Sequence, residues 1–315
     1  MVFRLAAPIV QWIEHRPPEP KIWVRLPMGA PLDDFINMTM KMIDCHMHTP
    51  LCGHAVGEPA EYVRQAARNG ISLITFTCHV PLDDDRLGGS GIRMAEAELP
   101  RYTDMVAEAA ELADELGVRV LTGIEAEISP DRELMERMDE ILTRHPFDFV
   151  LGSLHHPFPV YREWLRDNGI LEDREIIDAY FRHLAEGARS GRYDSLAHPD
   201  VIRIYGTVEH FEPAEHEPVI REFLQAVVDE DLCLEVNTSG LTKGVYQVHP
   251  DPLILDWASE AGVKLTLGSD AHRPEAVGQK FDEVLPLLTE KGFTELHYYE
   301  GRRRHAVPIP ASTAL

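Results

Sequence analysis

The chain has 315 residues, 44% of them hydrophobic and 26% charged, with a formal net charge of −23 at pH 7. That length and balance suit one large globular domain or two ordinary ones, and a surface so acidic excludes nucleic acid and anionic membranes as expected partners. The longest apolar runs are too short for a membrane span, no secretory signal is evident, and four scattered cysteines without a CxxC pair read as reduced thiols of a cytoplasmic protein.

Residues 1–41 stand apart. "QWIEHRPPEPKIWVRLP" has a Pro-Pro pair and neither helical nor strand period, so 1–41 is expected to be a leader outside the domain, either disordered or a mis-assigned start with the true one at Met38, Met40 or Met42. The domain is expected to run over 42–315.

From Met42 short apolar, often β-branched runs alternate with amphipathic stretches. The spacing predicts strands near 42–46, 71–78, 118–125, 147–154, 193–198, 232–237 and 263–269, with a weaker one near 294–299. Helical periodicity fills 58–70, 99–117 and 274–292, each ending on glycine. Seven or eight such repeats predict a closed α/β barrel; an open doubly wound sheet is the alternative, and the lack of a GxGxxG after the first strand counts against it.

The metal-binding types of residue gather where the strands end. "MIDCHMH" places His46 and His48 two apart, hence on one side of a strand. His54 follows in a Cys-Gly-His loop. Next come His79 after the second strand, Glu125 and Glu127 at the end of the third, His155 and His156 after the fourth, His198 after the fifth, and Asp270 and His272 after the seventh. The sixth run, "LCLEVNTSG", has no histidine and offers Asn237, Thr238 and Ser239. In (β/α) barrels functional groups sit at the C-terminal strand ends. Imidazole and carboxylate suit zinc, iron or manganese, and nine ligands are too many for one ion, so two or three divalent ions are expected. Clustered ions of this kind clamp phosphoryl oxygens and generate hydroxide near neutral pH.

"DCHMHTPLCGHA", "FTCH", "GIE", "GSLHH", "AHPD", "NTSGLTKG" and "LGSDAHRPEAVG" resemble, in order, the motifs of the PHP (polymerase and histidinol phosphatase) superfamily, and "EVNTSGLTKGVYQVHPDPLILDWASEAGVKLTLGSDAHRPEAVG" resembles its histidinol-phosphatase branch. The resemblance covers about 42–310 and implies a distorted (β/α)7 TIM-like barrel with a trinuclear site. By motif, it implies one ion on His46, His48, Glu125 and Asp270, a second sharing Glu125 and taking His155 and His198, and a third on His54, His79 and His272. Asp270, His272 and Glu125 would stand closest to the chemistry. It also implies hydrolysis of a small phosphomonoester, L-histidinol phosphate first, by a metal-bridging hydroxide. The segment "HHPFPVYREWLRDNG" departs from the aromatic-rich run ending in Gly-Trp that relatives carry there, and leaves a nucleotide or sugar phosphate as the alternative substrate. A non-catalytic metal-binding barrel is the reading from another class. Arg93, Arg203 and Lys243 are the candidate phosphate contacts, since guanidinium and ammonium groups match phosphate. Glu127 is expected either behind a ligand or in solvent. "GRRRH", 301–305, reads as a surface feature.

Overall fold

A computed structural model describes residues 42–88 and 91–310; the 1–41 leader lies outside the described residues. Seven parallel strands follow one another in spatial order: β1 (Ile43–Met47), β2 (Leu73–Phe76), β3 (Arg119–Glu127), β4 (Phe149–Ser153), β5 (Ser195–Leu196), β6 (Cys233–Asn237) and β7 (Lys264–Gly268). Between them run α1 (Pro59–Arg68), α2 (Leu99–Leu116), α3 (Arg132–Arg144), α4 (Pro159–Asp167), α5 (Asp173–Arg189), α6 (Glu217–Asp229) and α7 (Pro252–Ala261), with α8 (Phe281–Glu290) after β7. The ring closes past the end of β7, where Ala271 bridges Met47 in parallel and the His48 amide donates to the Ala271 carbonyl at 2.9 Å. The distorted (β/α)7 barrel is therefore present, with its seam at the metal-rich end.

Apart from the start of β3 and the first residue of β7, the strands are buried because helices cover the outside and side chains fill the inside. Only the short β5, Ser195–Leu196, is thinly paired, through two registered positions on each side.

The eighth run takes a different role. β8 (Glu295–Glu300) pairs antiparallel with β9 (Arg303–Pro308) in a hairpin outside the ring. The hairpin seals the opposite end of the barrel: Tyr299 stacks on Phe149 at 5.4 Å and its hydroxyl donates to the Asp194 carbonyl at 2.8 Å. The GRRRH segment supplies its anchors, since Arg302 pairs with Asp194 at 2.6 Å and Arg304 with Asp231 at 2.7 Å. Three close basic residues are thus spent partly on acids that precede β5 and β6. The 274–292 stretch opens with a 3-10 turn at Pro274–Ala276 and is α-helical only from Phe281, because Gly278 adopts φ +69 and Lys280 φ +64 just before it.

Two loops at the metal-rich end are locked together. Arg203, in the turn after β5, pairs through Nε with Asp200 at 2.9 Å and reaches the Val248 carbonyl at 2.7 Å, Gln247 at 2.7 Å and Asp251 at 3.3 Å beyond β6. Asp200 also meets His249 Nδ1 at 2.5 Å and accepts from the Asp251 amide at 2.7 Å. Burial pushes the Asp200 carboxyl up, but Arg203 and then His249 more than reverse this and hold it below its ordinary 3.8. A depressed carboxylate lends stability that is present above that unfolded value and lost as pH falls through the folded one. Asp200→Asn should therefore cost about 3 kcal/mol near neutral pH, as for a broken buried ion pair, and the deficit should shrink below pH 3.8. Urea midpoints of both proteins across that range check it.

Candidate metal centre

Each ligand type is delivered by a strand end. His46, on β1, and His48, just past it, point inward together and bring their Nε2 atoms to 3.1 Å of each other. Glu125, on β3, is 2% exposed and lies at the middle. Its Oε2 is 2.6 Å from His79 Nδ1 and 3.8 Å from the Nε2 atoms of both His46 and His48. Its Oε1 is 3.2 Å from His198 Nε2 and 3.4 Å from His155 Nε2. Asp270, two residues past β7, sets Oδ1 at 3.3 Å from His48 and 3.7 Å from His46. His272 meets His54 through their Nε2 atoms at 2.9 Å. All nine residues singled out as ligands thus share one basin. His79 stands against Glu125, while its ring also stacks on that of His54 at 5.4 Å.

These contacts fit metal ligation better than hydrogen bonding. His79 Nδ1 and Glu125 Oε2 are buried and close, yet neither has a hydrogen-bond partner. The second nitrogens of several rings are already tied: His46 Nδ1 to Glu235 at 2.7 Å, His54 Nδ1 to the Cys52 carbonyl at 3.0 Å, His272 Nδ1 to the Asp270 carbonyl at 2.9 Å. That arrangement fixes the tautomer and leaves Nε2 as a lone-pair donor. His46, His48 and Asp270, and likewise His79, Glu125 and His155, offer ligand atoms within 4.8 Å of one another. Two ligand positions also carry left-handed backbone, His198 at φ +23 and Asp270 at φ +51, the kind of local strain that clusters at functional sites.

Electrostatics follow from burial and crowding. Burial opposes the Glu125 charge, but His79, His155 and His46 outweigh it and hold the carboxyl well below its usual range. Asp270 behaves alike, held down mainly by Lys243 against the same penalty. Burial pushes His79 well below its ordinary value and, with the help of His48, lowers His272 to about 4. Against the same burial, Glu235 and Asp270 raise His46, Asp270 raises His48, and Glu127 and Glu125 raise His155 to about 10. Cations bind carboxylates and neutral imidazoles, so metal loading would release protons from those rings.

A second layer holds the ligands. Glu235 Oε1 takes His46, while Oε2 accepts the His198 amide at 2.8 Å and Asn237 Nδ2 at 3.1 Å. Gly268 permits this: a Cβ there would sit 2.2 Å from Glu235 Oε1 and 2.6 Å from His46 Cβ. Asp44 accepts from Ser269 through its amide, at 2.9 Å, and its hydroxyl, at 2.5 Å, and from the Gly278 amide at 2.9 Å, tying β1 to the loop that carries Asp270. Glu235 and Asp44 are absent from the sequence-derived site. Their signal is a carboxylate inside an apolar strand, "CLEVN" and "MIDCH", where nothing but a buried partner can satisfy it.

The remaining candidates divide. Arg93 is 3% exposed and gives its nitrogens to the Leu87 carbonyl, the Val80 carbonyl and Glu127. Glu127 in turn holds the His155 amide at 3.1 Å and Nδ1 at 3.0 Å, so it stands behind a ligand and not in solvent. Arg203 is committed to the loop lock already described. Lys243 is one-third exposed, with Nζ 3.0 Å from Asp270 Oδ2. Ser239 donates to that same oxygen at 3.1 Å, and Asn237 Oδ1 caps the turn by accepting the Ser239 amide.

Comparison with known proteins agrees with this geometry. The PHP domain model matches residues 44–239, more than half of the chain. A probable histidinol-phosphatase of Deinococcus radiodurans is 35% identical over 260 residues, 80% of this chain and 94% of that one. The histidinol-phosphatase of Lactococcus lactis is 24% identical over 280 residues, 84% and 96% of the two chains. The crystal structure of a Lactococcus lactis histidinol phosphate phosphatase, complexed with zinc, L-histidinol and phosphate, superposes with a TM-score of 0.67 at 21% identity, covering 84% of this chain and 99% of that one, which establishes a shared fold. With the family model matching residues 44–239 and the Deinococcus radiodurans relative covering 80% of the chain, this chain belongs to the PHP domain family.

Proposed function

We propose that the protein is a phosphomonoesterase whose substrate is L-histidinol phosphate, released as L-histidinol and phosphate. The observation that carries the reading is the buried Glu125 carboxylate with imidazole nitrogens close to both of its oxygens, so that it could be shared by two cations. Two or three divalent ions (zinc, iron or manganese) held by His46, His48, Glu125 and Asp270, by Glu125, His155 and His198, and by His54, His79 and His272 would neutralise phosphoryl charge and supply hydroxide near neutral pH. The substrate follows from the histidinol-phosphatases that match nearly the full domain.

The chain's own part is placement. Glu235 and Glu127 aim His46 and His155. Ser239 and Lys243 both bond Asp270 Oδ2, leaving Oδ1 toward the histidines. Of the two cations lining the cavity, Lys243 is the more exposed and is the direct phosphate contact, whereas Arg203 is paired with Asp200; Arg93 and Arg203 act on substrate through Glu127 and through the loops they brace. No helix among the described residues is long and apolar enough to cross a membrane, and a small-molecule substrate in the cytoplasm agrees with the acidic surface. One observation favours a second reading. The cavity beside Lys243 is lined by Arg203, Ile204, Tyr205, Gly244 and Val245, with no carboxylate among them to meet the amine of histidinol, which favours a nucleotide, whose base is also planar, as the alternative ester.

Phosphate release by metal-loaded protein from L-histidinol phosphate, a nucleoside monophosphate and a sugar phosphate decides between them. A strong preference for the first, abolished by Asp270→Ala or His46→Ala, is expected; equal turnover of the others overturns the substrate and leaves the metal chemistry. Glu235→Gln keeps every ligand yet should lower metal affinity or activity by about 10- to 100-fold, as for other groups that orient a ligating histidine; metal titration followed by kinetics reads it. Chelation should abolish turnover and lower the thermal midpoint, and divalent ion should restore both, because a ligand that binds only the folded state stabilises it. A midpoint indifferent to chelator would contradict a resident centre.

A further inference from the structure

Tyr205 is held in an unusual way. It follows Arg203 in the loop after β5, at φ +68, a left-handed conformation that bulky residues rarely adopt. Its side chain stays 63% exposed. Exposed tyrosines are common and strained ones are not; here the strain persists because the residue before last is an arginine buried among Asp200, Gln247, Val248 and Asp251. The next loop residue but one is fixed as well, since the Thr207 hydroxyl lies 2.5 Å from His156 Nδ1, whose Nε2 is 3.2 Å from the Val201 carbonyl. Among the described residues Tyr205 has one aromatic neighbour, the His156 ring at 6.2 Å, and otherwise it lines the cavity of about 370 Å³ that it shares with Lys243. Because Lys243 Nζ bonds Asp270, the tyrosine stands one side chain away from the metal centre.

We propose that Tyr205 is a stacking platform for the planar ring of the ester's alcohol part, so that the cavity beside Lys243 selects phosphomonoesters bearing an imidazole or other aromatic ring. This rests on the phosphomonoesterase reading above and deepens it. A phosphate drawn to the metal ligands and Lys243 leaves the rest of the ester in the cavity. The walls there are Ile204, Val245, Gly244 and the tyrosine, with no carboxylate to pair an amine and the Arg203 charge already matched by Asp200. Such a lining recognises a flat π system by its face and by apolar contact, and a partly protonated imidazole gains further from the ring's negative face.

The test separates this role from a structural one. Tyr205→Gly removes the ring and also relieves the left-handed backbone, so the thermal midpoint should be no lower than that of the parent. The ratio of kcat/KM for L-histidinol phosphate to that for glycerol 2-phosphate should fall by about five- to tenfold, through KM for the imidazole ester, while Tyr205→Phe keeps the ratio. Calorimetry with L-histidinol, which needs no turnover, should show weaker binding by the same factor. A parental preference for histidinol phosphate that survives Tyr205→Gly, with unchanged L-histidinol binding, overturns the platform alone. A parent that hydrolyses both esters equally in a metal-dependent reaction overturns the platform together with the substrate.

Discussion

The structure is organised around one buried carboxylate. Glu125 lies in a closed barrel at 2% exposure, where an unpaired charge would be prohibitively desolvated. Five histidines from four different strand ends, His79, His155, His198, His46 and His48, come within 3.8 Å of its two oxygens. That crowding calls for cations, because neutral imidazoles here meet lone pair to lone pair, as the Nε2 atoms of His54 and His272 do at 2.9 Å with each Nδ1 donating to a carbonyl. Cations between these atoms would convert the conflict into coordination. Much of what surrounds the centre, from the barrel seam to the loop ties, holds these atoms to that purpose.

The supports are graded outward. Asp44 joins β1 to the loop after β7 across the seam, so closure of the barrel and placement of Asp270 are one event. Glu235 orients His46 and fixes the His198 amide with its two oxygens, linking β6 to both neighbours of the centre. Arg93 stands behind Glu127, which stands behind His155, and the Arg93 guanidinium packs over Phe158 at 5.3 Å. Farther out, Arg203 fastens two loops and sets the floor of the cavity. Two arginines that the sequence offers as phosphate contacts thus have their nitrogens engaged inside the protein, and the exposed cation at the cavity is Lys243.

Chemistry and stability occupy opposite ends of the barrel. The β8–β9 hairpin covers the N-terminal strand ends with Tyr299, Arg302 and Arg304 bound to groups around Phe149, Asp194 and Asp231. The C-terminal ends carry the ligands, among them Asp270 at φ +51, while left-handed residues occur at both ends, with Asp231 at φ +55 and Arg302 at φ +62 beside the hairpin. Gathering the ligands at the C-terminal strand ends and the packing anchors at the other is the division expected of a (β/α) barrel.

The sequence by itself determined the alternation of strands and helices, with seven or eight strands, and the nine candidate ligand residues, because hydrophobic periodicity is local and because His, Asp and Glu at strand ends are visible as short spacings; the count of seven came with the family resemblance. It also determined that His46 and His48 face the same way, since a strand repeats every two residues. Tertiary structure alone decided which oxygen of Glu125 meets which imidazole, that Glu235 and Asp44 serve the centre from inside apolar strands, that Arg93 and Arg203 are internal braces, and that the eighth run is a hairpin beneath the ring. Those outcomes depend on distances between residues far apart in the chain, Asp44 and Ser269 for example, and no local pattern encodes the closure of a barrel that brings them to 2.5 Å.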